Sequence, residues 1–213
     1  MDHSPQPLRI DTAWVRNILK LGYSTGGVAL NNNANAVRFT LRYLENNNFR
    51  SQMTAFEAGH DVLLDGVRIR GRSVDATLDN LDVEIKAWKS GNITWKKMKK
   101  DIRTQEDLAD YLASGGKAAG EEIEWISDVI KYAPDFSRLK WVIHSNAAGK
   151  ADKLKQHMLN ALDNELVAKH IKVLVDNGDL PIGYTVKNLK DDFSATYFNQ
   201  IVEFVDETPV IIP

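Results

Sequence analysis

Apolar positions recur along this chain with two different periods, and the switch between them marks its organisation. From Asp11 to Gly22, "DTAWVRNILKLG" sets Trp14, Ile18 and Leu21 at helical spacing behind an Asp11 or Thr12 cap, with Gly22 as the stop. The Gly- and Asn-rich run "YSTGGVALNNNANA" predicts a loop, so residues 1–33 read as an N-terminal helical appendage or linker and residues 34–213 as the main domain. "AVRFTLRYLENN" returns to helical spacing through Val37, Leu41 and Leu44. "FRSQMTAFEAGHDVLLDG" extends that helix, with Met53, Phe56 and His60 on one face and Glu57 beside them.

After Gly66 the period becomes two. Val67 and Ile69 alternate with Arg68 and Arg70, and Val83, Ile85 and Ala87 alternate with Asp82, Glu84 and Lys86, which predicts two or three antiparallel strands. Asp79-Asn80 suits the positive φ values of a two-residue turn. Counting outward from it, Leu78 faces Leu81, Thr77 faces Asp82, Ala76 faces Val83 and Asp75 faces Glu84. Val74, Ala76, Val83, Ile85 and Ala87 then form a core surface, while Asp75, Glu84 and Lys86 share the other face.

Further along, "WKKMKKDIRTQEDLADYLASGG" predicts a helix ending at Gly115-Gly116, and "GEEIEWISDVIKYAP" another stopped by Pro134. "RLKWVIHSN" is patterned as a buried strand, "KADKLKQHMLNALDNELVAKH" as one long amphipathic helix and "IKVLVDNG" as a further strand. The tail "ATYFNQIVEFVDETPVIIP" fits helix and strand equally.

Composition narrows the classes. The 213 residues are 43% hydrophobic and 26% charged, ordinary globular values for a chain long enough to bury a core. No apolar run is long enough to span a bilayer, so no stable membrane association is expected, and "MDHSPQPLRID" has neither the basic nor the apolar region of a cleavable signal. The absence of cysteine excludes thiol nucleophiles, disulfides and cysteine zinc sites, and the five histidines show no metal-ligand spacing. Any metal would therefore sit on carboxylates. A net charge of −2 means that a nucleic-acid role needs a local basic patch.

The hairpin face carries the candidate chemistry. Carboxylates directly opposite one another repel, and a divalent cation between them removes the penalty. Magnesium takes hard oxygen ligands and keeps several waters, so it suits Asp75, Glu84, the Ile85 carbonyl and a substrate phosphate; manganese is the alternative. Lys86 beside them can position the attacking water and neutralise developing charge. The reaction class is metal-assisted phosphodiester hydrolysis.

Asp75 followed by Glu84-Ile85-Lys86 resembles the D…ExK signature of the PD-(D/E)XK, or restriction-endonuclease-like, nuclease superfamily. The resemblance covers roughly residues 37 to 165. It implies an α/β (α+β) fold with an α-β-β-β-α-β core, a mixed central sheet flanked by helices, and Glu57 as a further acidic catalytic residue on the helix before the hairpin. Within the superfamily, "FE…VD…VEIKAW" looks most like the C-terminal nuclease toxin domains of bacterial polymorphic and contact-dependent inhibition toxins, many of which cleave tRNA. That implies a tRNA substrate, a cognate immunity protein as partner, and secretion within a larger toxin with action in the target-cell cytoplasm. A stand-alone nuclease would be cytoplasmic.

Lys89, Lys96, Lys97, Lys99, Lys100 and Arg103 follow the motif strand and form the candidate nucleic-acid patch, with Arg68, Arg70 and Arg72 as an extension. Gln105 lies one turn on, where relatives often carry a functional Gln. Trp88 and Trp95 are candidates for base stacking or for the core, and His144 for a proton donor or a structural histidine. Two rivals stand beside the RNase reading: a DNA endonuclease of the same fold, and a non-catalytic binding domain whose charged hairpin face is merely exposed.

Overall fold

The Asp65-Gly66 pair, both with positive φ (54° and 73°), makes the tight turn that folds two twelve-residue strands against each other. The computed structural model describes residues 39, 40, 43, 53–88, 90–98, 102, 104–113 and 120–206. Its five strands are β1 (Met53–Leu64), β2 (Val67–Leu78), β3 (Leu81–Lys86), β4 (Leu139–His144) and β5 (Val202–Val205). They lie in one sheet in the order β1-β2-β3-β4-β5. The first three are antiparallel, and β3, β4 and β5 are parallel.

Parallel neighbours need crossovers, and helices supply them. Between β3 and β4 come α1 (Gln105–Ala113) and α2 (Glu121–Tyr132); between β4 and β5 come α3 (Ala151–Ala161), α4 (Glu165–Asp176), α5 (Val186–Asp192) and α6 (Phe198–Ile201), the last entered through a π-turn over Phe193–Tyr197. The chain is thus a mixed α/β fold built on a mixed sheet. Among the described residues no helix is long and apolar enough to cross a membrane.

Strand alternation divides the sheet between two cores. Trp141 and Ile143 of β4 join Trp125, Ile126, Val129, Met158 and Phe193 on the side of α2 and α3. Ala76, Leu78, Val83, Ile85 and Val142 face the other way and pack with Phe39 and Tyr43, which lie in a helical turn preceding the sheet. Val37, Leu41 and Leu44, the face expected of that helix, lie outside the described residues, as does the helix expected at 11–22.

Several expected elements differ. The segment around Glu57 is β1, not a helix, because its pairing along β2 overrides the helical spacing of Met53, Phe56 and His60. "IKVLVDNG" is not a strand but the end of α4, whose Leu166, Val167, His170, Ile171 and Leu174 are buried at helical spacing. The long helix expected before it is broken: Asn164 accepts from the Leu166 backbone N–H at 2.9 Å and starts α4 afresh. Residues 95–98, expected to be helical, are irregular, and among the described residues the helix of this stretch is Gln105–Ala113. The ambiguous tail holds both helix and strand.

Candidate functional site

The β2–β3 hairpin turns at Asp79-Asn80 in the expected register, with Leu78 opposite Leu81, Thr77 opposite Asp82 and Ala76 opposite Val83. The predicted core face is buried: Val74, Ala76 and Val83 are at most 1% exposed. The expected Asp75–Glu84 pair departs from this pattern. The ladder ends at Ala76 and Val83, and the Asp75 carboxylate instead reaches one residue further, accepting the Ile85 backbone N–H at Oδ2 over 2.6 Å. N–H and C=O of a strand residue point to the same neighbour, so the Ile85 carbonyl also faces the Asp75 side. Asp75 and Ile85 meet where β2 and β3 part.

Glu84 and Lys86 project from β3 beneath α2. Lys86 Nζ lies 2.6 Å from Glu84 Oε1 and 2.8 Å from Glu124 Oε2, and 5.3 Å from the centroid of the Trp141 ring. The three charged side chains are well covered, with exposures of 13% for Lys86, 6% for Glu84 and 23% for Glu124. Burial works against the Lys86 charge, but Glu84 and Glu124 outweigh it and hold the ammonium above the usual lysine range. As placed, Lys86 is a cationic donor and not a base.

Glu124 is the residue that sequence reasoning missed. It lies 38 positions from Lys86 and meets it only because α2 packs along the sheet. The polar contacts continue along α2: Trp141 Nε1 donates to the fully buried Asp128 at 2.9 Å, and Lys131 Nζ meets Asp82 Oδ2 at 2.7 Å. Asp82 also accepts from the Tyr132 hydroxyl and from Thr77 Oγ1. Burial pushes the Asp82 carboxyl up, yet Lys131, Tyr132 and Thr77 together hold it below the usual range. Three polar rungs therefore fasten α2 to the sheet where an apolar seam would be the ordinary solution.

The other expected site residues fall out as follows. Glu57 lies between Phe56 and Ala58, whose partners are Ala76 and Val74, so its register position is opposite Asp75 on a strand and not on a helix. Lys96 and Lys97 are exposed on the irregular segment. Lys89, Lys99, Lys100 and Arg103 lie outside the described residues; Gln105 opens α1. Of the extension, Arg68 pairs with Asp61 and Arg70 donates to the Gly71 carbonyl.

Trp88 and Trp95 both pack against the main core. Trp95 stacks on His157 with ring centroids 5.5 Å apart and planes at 5°, and lies 6.4 Å from Trp141, so it serves packing. His144 lies on the opposite face from Lys86, its ring 5.2 Å from Phe39 and its Nδ1 accepting from the Asn146 N–H.

Of the expected cation donors, Asp75 is bonded to the Ile85 backbone N–H and Glu84 is paired with Lys86. Among the described residues no three Asp, Glu or His side chains converge as a metal-holding group. No family model, curated protein or solved structure matches the chain.

Proposed function

We propose that the chain is a magnesium-dependent endonuclease hydrolysing phosphodiester bonds, with Asp75, Glu84 and Lys86 at its centre. One observation carries the reading: Glu84, 5% exposed, and a charged Lys86 are kept under α2 at the point where β3 leaves β2 and the Asp75 carboxylate crosses the gap. Buried ion pairs often add no stability over apolar residues of similar volume, and strongly perturbed groups cluster at functional sites.

The donor set suits a hard cation, which Asp75, Glu84 and the Ile85 carbonyl would hold. Bound there, Mg²⁺ supplies an activated water and charge neutralisation at the phosphate. Lys86 offers its ammonium to the phosphate oxygen on which charge develops, and Glu124 keeps that ammonium oriented. Exposed Lys96 and Lys97 attract the substrate backbone. The resemblance to contact-dependent inhibition toxins makes RNA, and tRNA in particular, the proposed substrate, with an immunity protein as partner. The same core would also suit a DNA endonuclease.

The double pairing of Lys86 favours a second reading, in which Glu84, Lys86 and Glu124 only clamp α2 to the sheet of a binding domain. Purified protein incubated with total tRNA and with plasmid DNA, in Mg²⁺ and in EDTA, separates the readings. Metal-dependent cleavage that is lost in Asp75→Asn is expected, with tRNA preferred; cleavage of neither substrate, or equal cleavage by the folded Asp75→Asn variant, overturns the proposal.

A further inference from the structure

Beside the Lys86 centre lies a cationic cluster built from two separate parts of the chain. Residues 93–98 run past the start of α2, with the Lys96 and Met98 backbone N–H groups donating to the Glu121 and Glu122 carboxylates. Those bonds fix the backbone and leave the Lys96 and Lys97 side chains exposed. From α3, Lys153 and His157 sit one turn apart and so share a face. The stack of His157 on Trp95 brings that face to the 93–98 segment.

The lysines of α3 and the turn before it are not equivalent. Lys150 donates to Asn92 Oδ1 and Lys155 to the Ser194 carbonyl, whereas among the described residues Lys97 and Lys153 have no hydrogen-bond or ion-pair partner. The groups that face His157 are Lys153 on its own helix, Lys97 on the crossing segment and Glu122 on α2. Burial, then Lys153 and Lys97, hold the imidazole below its usual range, with Glu122 partly opposing them. An anion arriving between the lysines would reverse that balance and favour the imidazolium.

The cluster is joined to the candidate centre through packed rings: the Lys86 ammonium lies 5.3 Å from the buried Trp141 ring, Trp95 lies 6.4 Å from Trp141, and His157 lies 5.5 Å from Trp95. We propose that Lys97, Lys153 and His157 form a phosphate-binding subsite that holds the backbone of single-stranded RNA beside the Lys86 centre. The proposal rests on the nuclease reading for its ligand class and for Lys97, and adds Lys153 and His157, which that reading does not use. It needs no base contact, since the stacking face of Trp95 is already taken by His157.

The test is binding of a fluorescein-labelled single-stranded RNA oligonucleotide in EDTA, read by anisotropy against salt concentration and pH. Lys153→Gln and Lys97→Gln are each expected to lower the magnitude of the logarithmic salt slope by about 0.7, the single-strand value for one lost phosphate contact. Wild type is expected to bind more tightly at pH 6 than at pH 8, and His157→Gln to remove most of that difference. Binding whose salt slope is unchanged in both lysine variants overturns the subsite while leaving the nuclease reading standing. No binding by wild type also overturns the subsite, whereas the nuclease reading stands or falls on the Mg²⁺-dependent cleavage assay.

Discussion

Lys86 sits at the middle of the charged centre. Its ammonium separates two covered carboxylates, so Lys86→Met leaves Glu84 and Glu124 facing each other without a cation. Removing one partner of a buried pair costs about 3–5 kcal/mol, and chemical denaturation should show a loss of that size. Glu124→Gln keeps a neutral acceptor for Lys86 and should cost clearly less; equal losses would mean that the pair is not buried as described. Asp82 gives a pH prediction. Its carboxyl titrates below the usual range when folded, so the native state binds fewer protons and the contribution is present above the unfolded value near 3.9. The gap between wild type and Asp82→Asn, roughly 1–3 kcal/mol from the lost charged hydrogen bonds, should hold from pH 5 to 8 and close as pH falls through the folded value. A gap that does not narrow as the pH falls below the unfolded value would contradict it.

At the scale of elements, α2 and the segment that crosses its start decide where the charges meet. Gly120 precedes α2 with φ 137°, and a Cβ there would stand 2.9 Å from the Lys96 Cβ and 3.1 Å from its carbonyl. Gly120→Ala should therefore destabilise by about 1–3 kcal/mol and loosen residues 93–98, detectable as faster amide exchange at Lys96 and Met98. The same elements show what a sequence can and cannot reveal. The β2–β3 hairpin was readable because its alternation and its Asp79-Asn80 turn are local signals, and the register through Thr77 and Asp82 followed by counting. β1 was not, since Met53, Phe56 and His60 satisfy a helical spacing and only pairing with β2 selects the strand. The β-branched run of α4 misled in the opposite direction, because its stripe of Leu166, Val167, His170, Ile171 and Leu174 becomes visible only when residues 164–176 are read as one unit. Glu124 had one local cue, an acidic helix start, which the macrodipole alone would account for.

For the whole molecule, the two cores make the sheet a partition, with the charged centre on the α2 side and Phe39 and Tyr43 sealing the other. Phe39 is 1% exposed and packs with Val83 and Ile85, the residues between the candidate site's side chains. Phe39→Ala should cost about 3–5 kcal/mol and lower the midpoint of a single cooperative transition. An unchanged midpoint would show that the helical turn is not part of the folded unit. The mixed sheet, with antiparallel β1 to β3 and parallel β3 to β5, brings the ends of β3 and β4 together under α2, and that topology places the only strand-borne lysine of the hairpin motif beside Trp141.

Calorimetric titration with Mn²⁺ tests, without reference to any substrate, the proposal that Asp75 and Glu84 hold a catalytic divalent cation next to Lys86. Wild type should bind one ion, and Asp75→Asn and Glu84→Gln, checked for folding by circular dichroism, should each lose that binding. Absence of binding to the folded wild type, or undiminished binding to both variants, would contradict the claim.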